Sequence, residues 1–251
     1  MKTIVYENSP RAEMCERVLR SSRLADKFSE AIILPIPSST DGVNIRGTDV
    51  AMSDALAHGR DGVLVLGYGL PSMLAYLLRA RGATVYDAAE DEEFLLANAD
   101  LTALATLGII LSDGRRAPSD LRIGVVGYGR IGRCLLRYLL YLGAEVRVYS
   151  SRESVRMELS ELGIGCYPCV DLDTVSGLDI LINTAPARIL DALAGFDGDM
   201  RIMELASGDN FPTGVKVERY PSLPARAYAE SAGRVWAKSA ERAILGEAYH
   251  G

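Results

Sequence analysis

Gly127, Gly129 and Gly132 stand in G-x-G-x-x-G spacing. An apolar run, 123–126, precedes them, and 134–140 follows with apolar residues at helical intervals. Gly143 closes that helix, and 145–149 reads as a second buried strand. Each glycine has a physical role in a strand–turn–helix unit. Gly127 permits the tight turn out of the strand, Gly129 lets an anion approach the backbone, and Gly132 lets helix and strand pack closely. A helix that starts here turns its free N–H groups and positive dipole end toward that anion. In this context the spacing predicts a dinucleotide-binding Rossmann unit, with Gly127, Gly129, Arg130, Ile131 and Gly132 against the pyrophosphate.

The end of the second strand selects the dinucleotide. An NAD site places Asp or Glu there, to hold the ribose 2′-hydroxyl. This chain has Ser150, Ser151 and Arg152 instead. Two hydroxyls and a guanidinium suit a 2′-phosphate, so NADP is the expected cofactor. Glu153 follows directly and keeps NAD as the second choice. Later strands are expected at 179–183, 201–205 and 215–218. The end of the first of these puts Asn183, Thr184 and Pro186 beside the nicotinamide.

The elements that must position these groups read as two α/β halves. Over 1–90, apolar strands at 2–6, 31–37, 62–66 and 83–86 alternate with helical patterns, which implies a parallel sheet. A polar loop, Ser38-Ser39-Thr40-Asp41-Gly42, follows the second of them. It reads equally as a ligand loop at a strand's carboxyl end and as an ordinary Asp-Gly turn. The turn Gly67-Tyr68-Gly69 resembles a second glycine-rich loop without its third glycine. A long helix over 90–112 leads to a polar connection at 113–119, a natural boundary. A last helix, 226–249, is of the kind that returns to the first domain. The expected domains are therefore 1–112 with 228–251, and 113–227.

Composition narrows the partners. The 251 residues carry a net charge of −6 with scattered basic residues, which disfavours nucleic acid. No run of about 18 apolar residues stands out, so no membrane span is expected. The start, MKTIVYENSP, has no signal-like apolar core, so a cytoplasmic location is expected. Cys166 and Cys169 form C-x-x-C within a strand pattern, with no second pair or histidine nearby, and read as structural cysteines. No metal site is expected. His58 and His250 are the only histidines.

Several stretches taken together resemble the A subunits of bacterial dipicolinate synthases. They are AIILPIP with its Ser/Thr loop, EFLLANADLTALATLGI, VVGYGRIG, LGAEVRVYSSR, LINTAPA, ELAS and PSLPARAYAESAG. The resemblance implies a flavodoxin-like first domain, a Rossmann second domain and a cleft between them. It implies an NADP-linked oxidoreductase acting on a dihydrodipicolinate-like cyclic dicarboxylate in sporulation, partnered by a flavoprotein-like B subunit. A homodimer is the base expectation for the chain itself.

This sequence departs from that pattern in its substrate region. Tyr6-Glu7-Asn8 replaces a Gly-Gly-Asp turn, and a strand and loop are missing between Leu19 and Ala31. Asn98 and Thr102 match the family's motif, but its glutamate is Leu104. The Pro-Gly-Gly after Ala-Ser is lost around Gly208-Asp209, Leu-Pro-Gly becomes Leu223-Pro224-Ala225, and Glu230 replaces a lysine. A carboxylate substrate calls for cations, and Arg46, Arg188 and Arg226 are the candidates. Asn98, Thr102, Arg226 and Ser231 form the candidate catalytic set. The two readings are an oxidoreductase with an altered substrate, and a catalytically degenerate dinucleotide-binding sensor or scaffold protein.

Overall fold

The computed structural model describes residues 1–112, 116–168, 170, 173–186, 193, 198–208 and 210–246. Two compact units emerge, Met1–Asn98 with the segment from Pro224 onward, and Ala99–Leu223.

The first unit opens with β1 (Lys2–Val5), α1 (Pro10–Arg20), α2 (Leu24–Lys27) and β2 (Glu30–Ile33). It continues through α3 (Met52–Ala55), β3 (Val63–Gly67), α4 (Ser72–Ala80) and β4 (Thr84–Asp87). Its four strands are all parallel and lie in the order β1-β2-β3-β4. Parallel strands are covered on both faces, and β3 is accordingly apolar and buried throughout. Cys15, Leu19, Phe94 and Trp236 belong to one core cluster of this unit, and Ile45, Met52, Leu56 and Leu78 to another. A flavodoxin-like sheet runs 2-1-3-4-5. The order here is that order without its second strand, and only α2 stands where the missing strand would be. β1 is therefore an edge strand.

The helix α5 (Glu92–Ser112) runs from the first unit into the second. By length and composition it could cross a membrane, although no such segment was expected. Phe94, Ala103, Leu107 and Ile110 are buried in the protein's own cores, which accounts for its apolar character.

In the second unit, β5 (Arg122–Val126), α6 (Arg130–Tyr141), β6 (Glu145–Tyr149), α7 (Glu153–Glu161) and β7 (Gly165–Tyr167) follow one another. β8 (Ile180–Asn183), β9 (Arg201–Glu204) and β10 (Glu218–Arg219) complete a six-stranded parallel sheet. The order β7-β6-β5-β8-β9-β10 is the Rossmann order 3-2-1-4-5-6. The last strand lies later than the expected 215–218. Val215 and Val217 pack against the core, whereas the ladder forms only at Glu218 and Arg219. There Arg201 clamps Glu218 with two hydrogen bonds, at 2.8 and 2.7 Å.

The expected helix over 226–249 is two helices, α8 (Leu223–Ala227) and α9 (Ala229–Leu245). They are separated at Tyr228, whose φ of −133° and ψ of 50° are not helical. Gly246 ends α9 in the left-handed region at φ 70°. The α9 face made of Ala232, Gly233, Trp236, Ala237 and Ala240 is buried. At Gly233 a Cβ would lie 2.2 Å from the Arg11 carbonyl oxygen, so only glycine permits this approach of α9 to α1.

Candidate functional site

The glycine turn sits between β5 and α6, where the Rossmann sheet reverses its strand order and ligands bind. Gly127 has φ 92°, a conformation that disfavours any side chain. A Cβ on Gly132 would lie 2.1 Å from the Gly127 carbonyl oxygen, so the turn closes only with glycine there. Gly129 differs. A Cβ on it would meet no atom of the described residues within 4 Å, which leaves room in front of the turn. Arg130 and Ile131 begin α6. The first turn of a helix leaves its N–H groups without intrahelical partners and carries its positive end.

A cavity of about 280 Å³ opens before this turn. Ser150, Ser151 and Arg152 line it, as do Thr184 and Pro186. Arg152 reaches back so that Nη2 donates to the Tyr128 carbonyl at 2.9 Å. Arg156, one turn later on α7, donates to the carbonyls of Ser150 and Ser151 at 3.0 and 2.8 Å. No carboxylate is among the described residues lining this cavity, and Glu153 lines a neighbouring one. An anionic phosphate fits such a lining. The turn, the helix start and the cationic rim together suit a dinucleotide.

The far wall is the loop after β8. Thr184 donates through Oγ1 to the Val126 carbonyl at 2.8 Å, tying the loop to the glycine turn. Asn183 is wholly buried and acts through that loop rather than by lining the cavity. Its amide nitrogen donates to the Ala185 carbonyl at 3.1 Å and to Glu204 at 2.9 Å. Glu204 is itself 2% exposed and accepts further hydrogen bonds from Asn210 and the Ala206 N–H. Burial raises its pKa above the ordinary carboxylate range against the pull of these donors.

No protein-family sequence model matches the chain. The dipicolinate synthase A subunit of Bacillus subtilis is 30% identical over 126 residues, which are 46% of this chain and 42% of that protein. The match therefore spans less than half of the curated relative's length. In three dimensions the likeness runs through the whole chain. The crystal structure of the dipicolinate synthase A subunit from Bacillus halodurans superposes with a TM-score of 0.77, at 19% identity, over 98% of each chain. The chain is similar to the dipicolinate synthase A subunits. More distantly, the NAD-complexed D-isomer specific 2-hydroxyacid dehydrogenase of Lactobacillus delbrueckii ssp. bulgaricus aligns at TM-score 0.55 and 10% identity over 99% of this chain and 98% of that one. The fold is thus that of the dipicolinate synthase A subunits and of NAD-binding dehydrogenases.

The described residues expected from the sequence to meet the substrate do not line this cavity. Asn98 and Thr102 stand one turn apart on α5, half-buried and buried respectively. Arg226 on α8 and Ser231 on α9 are exposed. Glu230 sits in the first turn of α9, where a carboxylate complements the helix dipole. Arg46 is not an open cation: Nη2 donates to Glu7 at 3.3 Å and Nε to the Pro37 carbonyl at 3.0 Å. Arg188 and Cys169 lie outside the described residues. Cys166 is half-buried, with a thiol that burial pushes up.

The two polar turns singled out in the first unit have hydrogen-bond partners within the protein, the first inside its own loop and the second on β4. In the 38–42 loop, Asp41 accepts from the Ser39 hydroxyl and from the Val43 and Asn44 N–H groups, and these donors hold its carboxyl far below its usual range. In the 67–69 turn, the N–H groups of Gly69 and Leu70 donate to Asp87 at 2.8 and 2.7 Å.

Three residues of the site escaped the sequence reading. Arg156 was legible only as a cation four residues after Arg152. Tyr128 takes part mainly through its backbone carbonyl, which no residue type announces. Glu204 was legible as part of ELAS, but not as a buried carboxylate braced by Asn183 and Asn210.

Proposed function

We propose that the protein is an NADP-linked oxidoreductase. The observation that carries this reading is the cavity before the glycine turn, bordered by Ser150, Ser151 and Arg152 and free of lining carboxylates among the described residues. The nicotinamide supplies the hydride chemistry; the chain supplies position and field. Gly127, Gly129, Arg130, Ile131 and Gly132 would hold the pyrophosphate, and Thr184 and Pro186 the nicotinamide end, with Asn183 bracing them. The similarity to the dipicolinate synthase A subunits supports a dihydrodipicolinate-like cyclic dicarboxylate, or a related small molecule, as substrate. The same relatives support a flavoprotein-like B subunit for partner and a place in sporulation. Asn98, Thr102, Arg226 and Ser231 are the residues proposed to meet the substrate.

One observation favours the second reading, a dinucleotide-binding protein without turnover. The carboxylate-binding candidate Arg46 is already paired with Glu7. Calorimetric titration of the purified protein with NADP⁺ and separately with NAD⁺ tests the first reading. Tighter binding of NADP⁺ is expected. Binding of neither nucleotide by folded protein would overturn the dinucleotide reading, and tighter NAD⁺ binding would overturn the cofactor assignment alone. Arg226→Ala and Asn98→Ala separate the two readings, because an enzyme loses turnover while keeping its affinity for the nucleotide.

A further inference from the structure

Glu7 stands on the short loop between β1 and α1, at the carboxyl end of β1, the end of an open parallel sheet at which ligands bind. Two guanidinium groups converge on it. Arg11 Nη2 donates to its two oxygens at 3.0 and 2.9 Å, and Arg46 Nη2 donates to Oε1 at 3.3 Å. Arg46 is held in place from behind by its Nε bond to the Pro37 carbonyl. Arg11 is 4% exposed, and its guanidinium lies 6.0 Å from the centre of the Trp236 ring. A buried guanidinium keeps its charge at any accessible pH and needs an anion beside it at all times.

The fit of Glu7 to this anion seat is imperfect in a specific way. Both of its oxygens rest on one nitrogen of Arg11, Nη2. The favoured arrangement spreads a carboxylate over two nitrogens in parallel. Arg11 Nε is buried and has no hydrogen-bond partner among the described residues. Glu7 is tethered to its loop, whereas an untethered carboxylate could take the two-nitrogen fork. Among the described residues the seat holds two cations, Arg11 and Arg46, against the one carboxylate of Glu7, and it is reachable from solvent, since the side chains of Glu7 and Arg46 are 16% and 31% exposed.

We propose that Glu7 is the resident carboxylate of a two-arginine seat, Arg11 and Arg46, into which the carboxylate of a small-molecule ligand exchanges. Glu7 then acts as an internal competitor, which swings out when the ligand enters. Identification of this ligand with the substrate rests on the oxidoreductase reading above; the seat itself does not.

The test is Glu7→Gln in the full chain, which keeps the side-chain volume and removes the competing charge. Acetate, malonate and pyridine-2,6-dicarboxylate are the probes, read by calorimetry and thermal melting against sodium chloride at equal ionic strength. The variant is expected to bind at least one of these carboxylates about tenfold or more tighter than the wild type, the scale of one charge-assisted hydrogen bond. The double variant Glu7→Gln/Arg46→Ala is expected to lose most of that gain. Equal affinity in wild type and variant overturns the proposal. So does a gain that chloride reproduces, or one that survives removal of Arg46. Should Glu7→Gln fail to fold, Glu7→Asp retracts the carboxylate by one methylene and must show a smaller gain of the same kind, and none would overturn the proposal equally. NADP⁺ titration of the same samples reports separately on the dinucleotide reading, so either idea can fail without the other.

Discussion

Under the proposed NADP reading, Arg152 is the side chain that sets nucleotide choice. Its guanidinium is anchored on the Tyr128 carbonyl at the rim of the cavity. Arg152→Ala should weaken NADP⁺ binding by about 1.5–3 kcal/mol, the loss of a hydrogen bond to a charged group, and should leave NAD⁺ binding nearly unchanged. Paired calorimetric titrations check this, and equal losses for both nucleotides would refute it. Glu204 gives a second expectation, of opposite character. Its pKa is raised by burial, so the folded state keeps a proton that the unfolded chain has already released. Its contribution to stability therefore falls as pH rises above the ordinary carboxylate range toward the raised value. Thermal melting across that range should show the slope, and Glu204→Gln should flatten it. The same variant should cost about 1–3 kcal/mol near pH 7, because its new amide group faces the Asn210 amide and leaves a donor unpaired. Ser150, Ser151 and Arg152 were legible in the sequence because the strand ahead of them is regular and the motif fixes where it ends. The pairing of Glu7 with Arg46 was not legible. It joins residues 39 positions apart across two loops, a partnership that no local pattern encodes.

Two glycines set the spacing of whole elements. At Gly132 an added Cβ would press on backbone, the Gly127 carbonyl oxygen, which cannot rotate aside. Gly132→Ala should therefore destabilise the protein by about 1–3 kcal/mol and abolish nucleotide binding, since α6 can no longer reach its place against β5. Gly129→Ala, which meets no atom of the described residues within 4 Å, is the comparison: stability stays near the wild type while nucleotide affinity falls. Thermal melting and titration of both variants decide the matter. The elements that periodicity made visible are the long or fully buried ones, such as α5, β3 and β5. Those it misplaced are short and depend on partners. β10 was expected over alternating apolar residues, but Val215 and Val217 face the core without joining the ladder, and the clamp of Arg201 on Glu218 marks where pairing begins. The break at Tyr228 was likewise hidden, since 223–227 and 229–245 both carry helical patterns. The strand missing from the first sheet was legible as the gap between Leu19 and Ala31, a length argument and not a residue one.

At the scale of the molecule, charge pairing gives an acid limit to stability. The carboxyl of Glu218 is lowered by its hydrogen bond from Arg201. Asp179 is lowered as well: desolvation pushes it up, but the Arg122 N–H and the Arg116 guanidinium outweigh that. Groups with depressed pKa values contribute stability above the ordinary carboxylate range and lose it as pH falls through their folded values. Urea unfolding should show the second unit weakening below about pH 4, and Glu218→Gln should remove about 1 kcal/mol or less of that loss, because the pair is partly exposed. The opposite slope expected of Glu204 places the stability maximum between these two effects. The division of the chain also has a consequence in time. The unit Ala99–Leu223 is continuous, whereas the other unit needs α9, from near the end of the chain, to cover α1. On a ribosome working at ~5–20 residues per second, roughly 6–25 s pass between the emergence of Asn98 and that of Pro224. Through that interval Cys15, Leu19 and the rest of the cluster around Trp236 wait uncovered while the Rossmann half is free to fold. Of the two units, the one whose synthesis starts earlier is thus the one whose core closes later.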